Sequence, residues 1–180
     1  MTTTPAPLKH VRRLCCVLIT GLAVALVTTS CSRDTGPTDV EITARDYSYE
    51  GVPETMAAGS SIILRNESAV EAHEIVAVRL ADDEERSAAE IAQLPPDELQ
   101  AVLVPPTAVI LAGPDEEGQA VVGSATLDQP GRYVFFCLIP TEADPDAYLE
   151  AAATSDGPPD VPGGPPHFVQ GMWAEVEVTE

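Results

Sequence analysis

The chain reads as an all-β sandwich, and three observations predict it. Seven or eight short runs are rich in β-branched and aromatic residues, turn residues bound most of them, and Val40 to Glu180 supplies 141 residues, one domain's worth, with no internal repeat.

The runs follow in order. "VEITARDYSY" sets Val40, Ile42 and Ala44 on one face against Glu41, Thr43 and Arg45 on the other, the period of a half-buried strand. "SIILRN", "EIVAVRL", "TAVILA", "QAVVGSATL", "RYVFFCLI" and "WAEVEVT" come next, punctuated by Gly59, Asn66, Gly113-Pro114 and Pro130-Gly131. Two segments interrupt the strands. Within residues 82–104, Ser87-Ala88-Ala89-Glu90 has capping-box spacing and predicts a short helix to Leu94, and Pro96-Asp97-Glu98 starts a second helix to about Leu103. Within residues 141–166, Asp144-Pro145 reads as N-cap and first helical position for one or two turns ending near Ala153, before an irregular Pro/Gly-rich stretch.

Residues 1–30 read as an export signal. Lys9, Arg12 and Arg13 form a basic start, Leu14–Val27 is uncharged and mostly apolar but short for a membrane span, and Thr28-Thr29-Ser30 leads into Cys31. A cysteine after small residues predicts cleavage before Cys31 and lipidation there, with residues 31–39 as a tether and 40–180 as the domain. The expected location is extracytoplasmic and lipid-anchored to the cell membrane, with ordinary cleavage and free secretion as the alternative. Arg12-Arg13 opens a twin-arginine reading, which Leu14-Cys15-Cys16 fits badly.

The chain carries 9 Lys+Arg against 29 Asp+Glu. Three of the basic residues leave with the leader, so the mature chain holds 6 against 29, a net charge near −23, and no lysine. Such a surface repels phosphate backbones, which excludes nucleic acid as a partner. It serves solubility, or steers toward a basic protein.

After processing, the histidines are His73 and His167, the one cysteine besides Cys31 is Cys137, and the methionines are Met56 and Met172. A lone thiol in an oxidising compartment is a buried hydrophobe or a metal ligand. One thiolate, two imidazoles and a thioether are the donors of a blue-copper site, a His2Cys plane with a weak axial Met. Zinc competes, with His73, His167, Cys137 and a water or Glu74 completing a tetrahedron. With two histidines, each at a strand edge, no Ser/His/Asp arrangement assembles, so an enzyme is not expected.

The pattern "PGRYVFFC…H-x4-M…V-x-V" resembles the cupredoxins (plastocyanin, azurin and bacterial copper-binding lipoproteins) over about Val40 to Glu180. The resemblance implies a Greek-key β-sandwich with short helical insertions. It also implies one type 1 copper held by His73, Cys137, His167 and Met172, and a role in one-electron transfer or copper handling with a redox or copper-exchange protein partner. The other reading is a metal-free cupredoxin-like module that binds another cell-envelope protein. Two positions depart from the family. Glu74 stands where plastocyanin-like sites commonly have Asn, and 29 residues separate Cys137 from His167 where the family has few. Closing that longer loop costs about 2 kcal/mol more by the logarithmic rule, which metal binding can exceed.

Overall fold

The computed structural model describes residues 36–155 and 157–180. The expected leader, Cys31 and most of the tether lie outside the described residues. Among the described residues, ten strands, three short helices and a 3-10 turn run in the order β1 (Asp39–Arg45), β2 (Ser48–Glu50), β3 (Thr55–Ala57), β4 (Ser60–Asn66), β5 (His73–Arg79), α1 (Ala88–Ile91), α2 (Pro96–Leu103), β6 (Ala108–Ala112), β7 (Gln119–Gly123), β8 (Thr126–Leu127), β9 (Gly131–Phe136), α3 (Pro145–Thr154), the turn His167–Gln170 and β10 (Trp173–Thr179).

Two mixed sheets, ordered β2-β1-β4-β8 and β3-β10-β9-β5-β6-β7, pack as the expected all-β sandwich. Ile42, Ala44, Ile62, Leu64 and Leu127 of the first meet Ile75, Ala77, Ile110, Tyr133, Phe135, Val176 and Val178 of the second in one core. The larger sheet is buried on its other face too, where Val76, Val78, Val134 and Phe136 pack on Ile91 of α1 and on Leu99 and Leu103 of α2. This double burial explains why β5 and β9 read as continuous apolar runs rather than alternating ones. Each such side chain contributes about 1.5–3 kcal/mol on burial.

The helices start where their caps predict. The Ser87 hydroxyl accepts from the Glu90 amide and the Glu90 carboxylate from the Ser87 amide, the capping box of α1. Pro96 opens α2, and the Asp144 carboxylate caps α3 by accepting the Ala147 amide at 2.9 Å. Among the described residues no helix is long and apolar enough to cross a membrane.

The strands differ from expectation in three places. The first run breaks at Asp46–Tyr47, where Tyr47 takes a left-handed backbone (φ 61°), into β1 and β2. "QAVVGSATL" breaks at Gly123 (φ 63°), which lets β7 edge the large sheet while β8 crosses to the small one. β3, pairing parallel to β10, has no signal in "PETMAAG".

Candidate metal centre

The central antiparallel strands of the large sheet carry the predicted residues to one end. β5 pairs with β9 in the register Val76↔Phe136, and β9 with β10 in the register Phe136↔Trp173. His73 therefore opens β5, Cys137 lies one residue past β9, and Met172 one residue before β10. The Cys137 amide donates to the Met172 carbonyl at 3.2 Å, continuing the ladder.

His167 reaches the same end despite its distance in sequence. Its amide donates to the Ile139 carbonyl at 2.9 Å, that of Phe168 to Cys137 at 3.0 Å, and that of Thr141 to Pro165 at 3.0 Å. The inserted segment is thus closed at a paired neck, and only residues 144–162 make an excursion from it. That pairing positions His167 where a brief loop would do so elsewhere. Gly163 makes the neck possible: a Cβ there would lie 2.5 Å from Pro140 Cβ and 2.8 Å from the Thr141 carbonyl oxygen. In the excursion, Tyr148 is buried and Leu149 half-buried, while Asp144, Asp146, Glu150 and Asp160 face water.

His73, Cys137 and His167 converge. Their donor atoms lie within 4.8 Å of one another, with His73 Nδ1 3.1 Å from His167 Nδ1 and Cys137 Sγ 3.3 Å from the same atom. All three residues and Met172 are fully buried. Burial, then the facing His167, pushes His73 down to about 4, and burial lowers His167 against the opposing pull of Glu71. Both imidazoles are therefore neutral near pH 7 and carry lone pairs. Burial, and then the neighbouring Glu74, drives the Cys137 thiol well above its ordinary value. A buried set of soft and borderline donors with no cation among them fits a metal ion whose charge would stabilise the thiolate.

Glu74 turns away from this cluster. Its carboxylate accepts the Leu138 amide at 3.2 Å and faces the Tyr148 hydroxyl at 3.4 Å, tying the residue after His73 to the residue after Cys137. Burial raises it to about 7, against the pull of those two donors.

Three residues at this end gave no functional signal in the sequence. Tyr47 stacks edge-on against the His167 ring, centroids 4.9 Å apart. Glu71 places Oε2 3.4 Å from His167 Nε2. Asn66 donates to the carbonyls of Glu71 (2.8 Å) and Gly113 (2.9 Å) and accepts the Ser68 amide (2.9 Å), which fixes the loop leading to His73.

No family model and no curated protein matches the chain. Among solved structures it is similar to dithionite-reduced auracyanin from the photosynthetic bacterium Roseiflexus castenholzii, at 22% identity over 81% of this chain and 100% of that one, with a TM-score of 0.45. It is also similar to auracyanin A, a "blue" copper protein from the green thermophilic photosynthetic bacterium Chloroflexus aurantiacus (21%, 80% and 100%, TM-score 0.43). Auracyanin B stands at 17% identity over 82% of this chain and 92% of that one, with a TM-score of 0.42.

Proposed function

We propose that this chain is an exported, membrane-tethered protein of cupredoxin type that binds one type 1 copper ion and carries single electrons. The convergence of one donor atom each from His73, Cys137 and His167 within 4.8 Å carries the reading. His73 and His167 would be the imidazole ligands, Cys137 the thiolate and Met172 the axial thioether. Copper bound there would supply a one-electron couple. The residues supply rigidity: three of the four positions are fixed by backbone bonds of the Cys137–Met172 and Ile139–His167 kind, so little rearranges between oxidation states. Full burial of every donor residue favours electron transfer over copper delivery, because no ligand is presented to an incoming chelator. The buried Glu74 carboxylate is engaged by the Leu138 amide and the Tyr148 hydroxyl, which leaves a water as the fourth ligand of a zinc tetrahedron, whereas copper would take the buried Met172.

Cys31 would carry the lipid anchor once residues 1–30 are removed, and the acidic surface suits a basic redox partner. Adding copper(II) to the reduced protein tests the site. An intense visible thiolate-to-copper band is expected. A colourless protein with an unchanged melting temperature would leave the metal-free module, and a rise in melting temperature with zinc alone would make it a zinc site. For the anchor, Cys31→Ser should move the protein from the detergent phase to the soluble fraction; equal partitioning of both forms means free secretion.

A further inference from the structure

We propose that Glu71 is a positioning residue for His167. Its carboxylate accepts the Nε2–H of the imidazole and so commits the Nδ1 lone pair to the cluster with His73 and Cys137. The hydrogen bond stands on the geometry alone; its consequence for a bound metal rests on the copper reading above.

His167 is fully buried, and among the described residues its Nε2 and the Oε2 of Glu71 are both buried atoms with no other hydrogen-bond partner. They face each other at 3.4 Å, so a closure of about 0.3 Å brings them into ordinary N–H···O range. Leaving two such atoms unpaired in the interior is costly, and each is the other's remedy.

Glu71 is itself held from several sides. Its Oε1 accepts the Glu142 amide at 3.2 Å and the Tyr47 hydroxyl at 3.4 Å. Its own amide donates to the Ser68 hydroxyl at 3.0 Å, and its carbonyl accepts from Asn66. Both residues gripping Oε1 are non-glycines in the left-handed region, Tyr47 at φ 61° and Glu142 at φ 59°. Such conformations persist where the surroundings over-determine them, and here two separate loops adopt them to reach one carboxylate. A residue that merely filled the loop would need neither.

A carboxylate on the far nitrogen of a ligating imidazole fixes its tautomer and raises its basicity, and its negative charge favours the more positive oxidation state of the metal. Two variants separate these effects. Glu71→Gln keeps the shape and an acceptor oxygen but removes the charge; Glu71→Leu removes the acceptor. In metal-free wild type at pH 7, long-range nitrogen–proton NMR correlations should place the His167 proton on Nε2. Glu71→Leu should lose that single tautomer and Glu71→Gln should keep it. With copper, Glu71→Gln should retain the visible band while copper(II) affinity falls at least tenfold relative to copper(I), a rise in reduction potential of 59 mV per factor of ten. A His167 proton found on Nδ1 in the wild type overturns the positioning role, as does an unchanged potential in Glu71→Gln. Should the Leu variant fail to fold, the wild-type tautomer and the Gln potential decide. If the wild type binds no copper yet holds the Nε2 proton, the copper reading fails and the Glu71–His167 bond stands.

Discussion

Thr141 donates its amide to the carbonyl of Pro165 at 3.0 Å, and this bond, with Gly164 donating back to Thr141 at 2.7 Å, closes the neck of the long insertion. Pro140 and Pro166 pair across it. Two glycines lie against Thr141 there. Gly163→Ala should therefore strain the neck rather than the excursion. The added methyl must displace the Pro140 ring at Cβ and the Thr141 carbonyl oxygen, an overpacking cost of about 1–3 kcal/mol. Chemical denaturation should show that loss, and copper affinity should fall with it because His167 follows Pro165 and Pro166 directly out of the neck.

Excising the excursion should do less harm to the site. A Cβ on Gly163 would sit 3.4 Å from the Ala143 nitrogen, so a short Gly/Ser linker can join residue 143 to residue 163. Glu142 would keep its bond to Glu71. Tyr148 would be lost from the core, at about 3 kcal/mol by analogy with large aromatic truncations. A titration with copper(II) should still develop the visible band in a protein that unfolds at lower urea. Loss of the band would show that the excursion, not the neck, holds His167.

Much of this was legible in the sequence, for identifiable reasons. Strands β4, β5, β6, β9 and β10 announce themselves because burial on one or both faces is a local property of their side chains. The helix caps at Ser87 and Asp144 are local too. The four candidate ligands stood out because the histidine and cysteine inventory is small. The neck was not legible, since it is built from main-chain atoms of Thr141 and Pro165 in a stretch whose composition signals irregularity. Nor were Glu71, Tyr47 and Asn66, whose contacts join loops distant in sequence: nothing in "NESAVEAH" or "RDYSY" says that one carboxylate will meet one phenol. The break at Tyr47 does leave a trace: the alternation of "VEITARDYSY" changes phase at Arg45-Asp46, two polar residues in a row, so that Tyr47 and Tyr49 fall on the parity of Glu41 and Thr43.

Acid should loosen the helical insertion by a separate route. Arg132 on β9 donates to the carbonyls of Glu84 (2.6 Å) and Arg86 (2.9 Å), and the Arg86 guanidinium beside Glu84 holds that carboxyl down to about 2. A carboxyl depressed in the folded state contributes stability that is complete above its unfolded value near 4.5 and is lost as the pH falls toward about 2. Wild type should thus be more stable than Glu84→Gln near pH 6, with the gap shrinking through that window. Melting temperatures of the two proteins from pH 6 to 2 check it; a gap constant with pH means the ion pair contributes nothing.

Met172 and Cys137 should separate a weak ligand from an essential one. Met172 is fully buried, its carbonyl accepts the Cys137 amide and its amide donates to the His167 carbonyl at 3.2 Å, so its backbone belongs to the site whatever its side chain does. Met172→Leu conserves volume and leaves both backbone bonds, so it should cost less than about 1.5 kcal/mol without metal. With copper(II) it should keep an intense band, since the thiolate that produces it remains, but the band energy and the reduction potential should both move because an axial donor is gone. Cys137→Ser should keep the fold and lose the band entirely. The informative failure is a Met172→Leu protein whose spectrum and potential match wild type. The thioether would then be a core side chain only, and the metal would be held by His73, Cys137 and His167 alone.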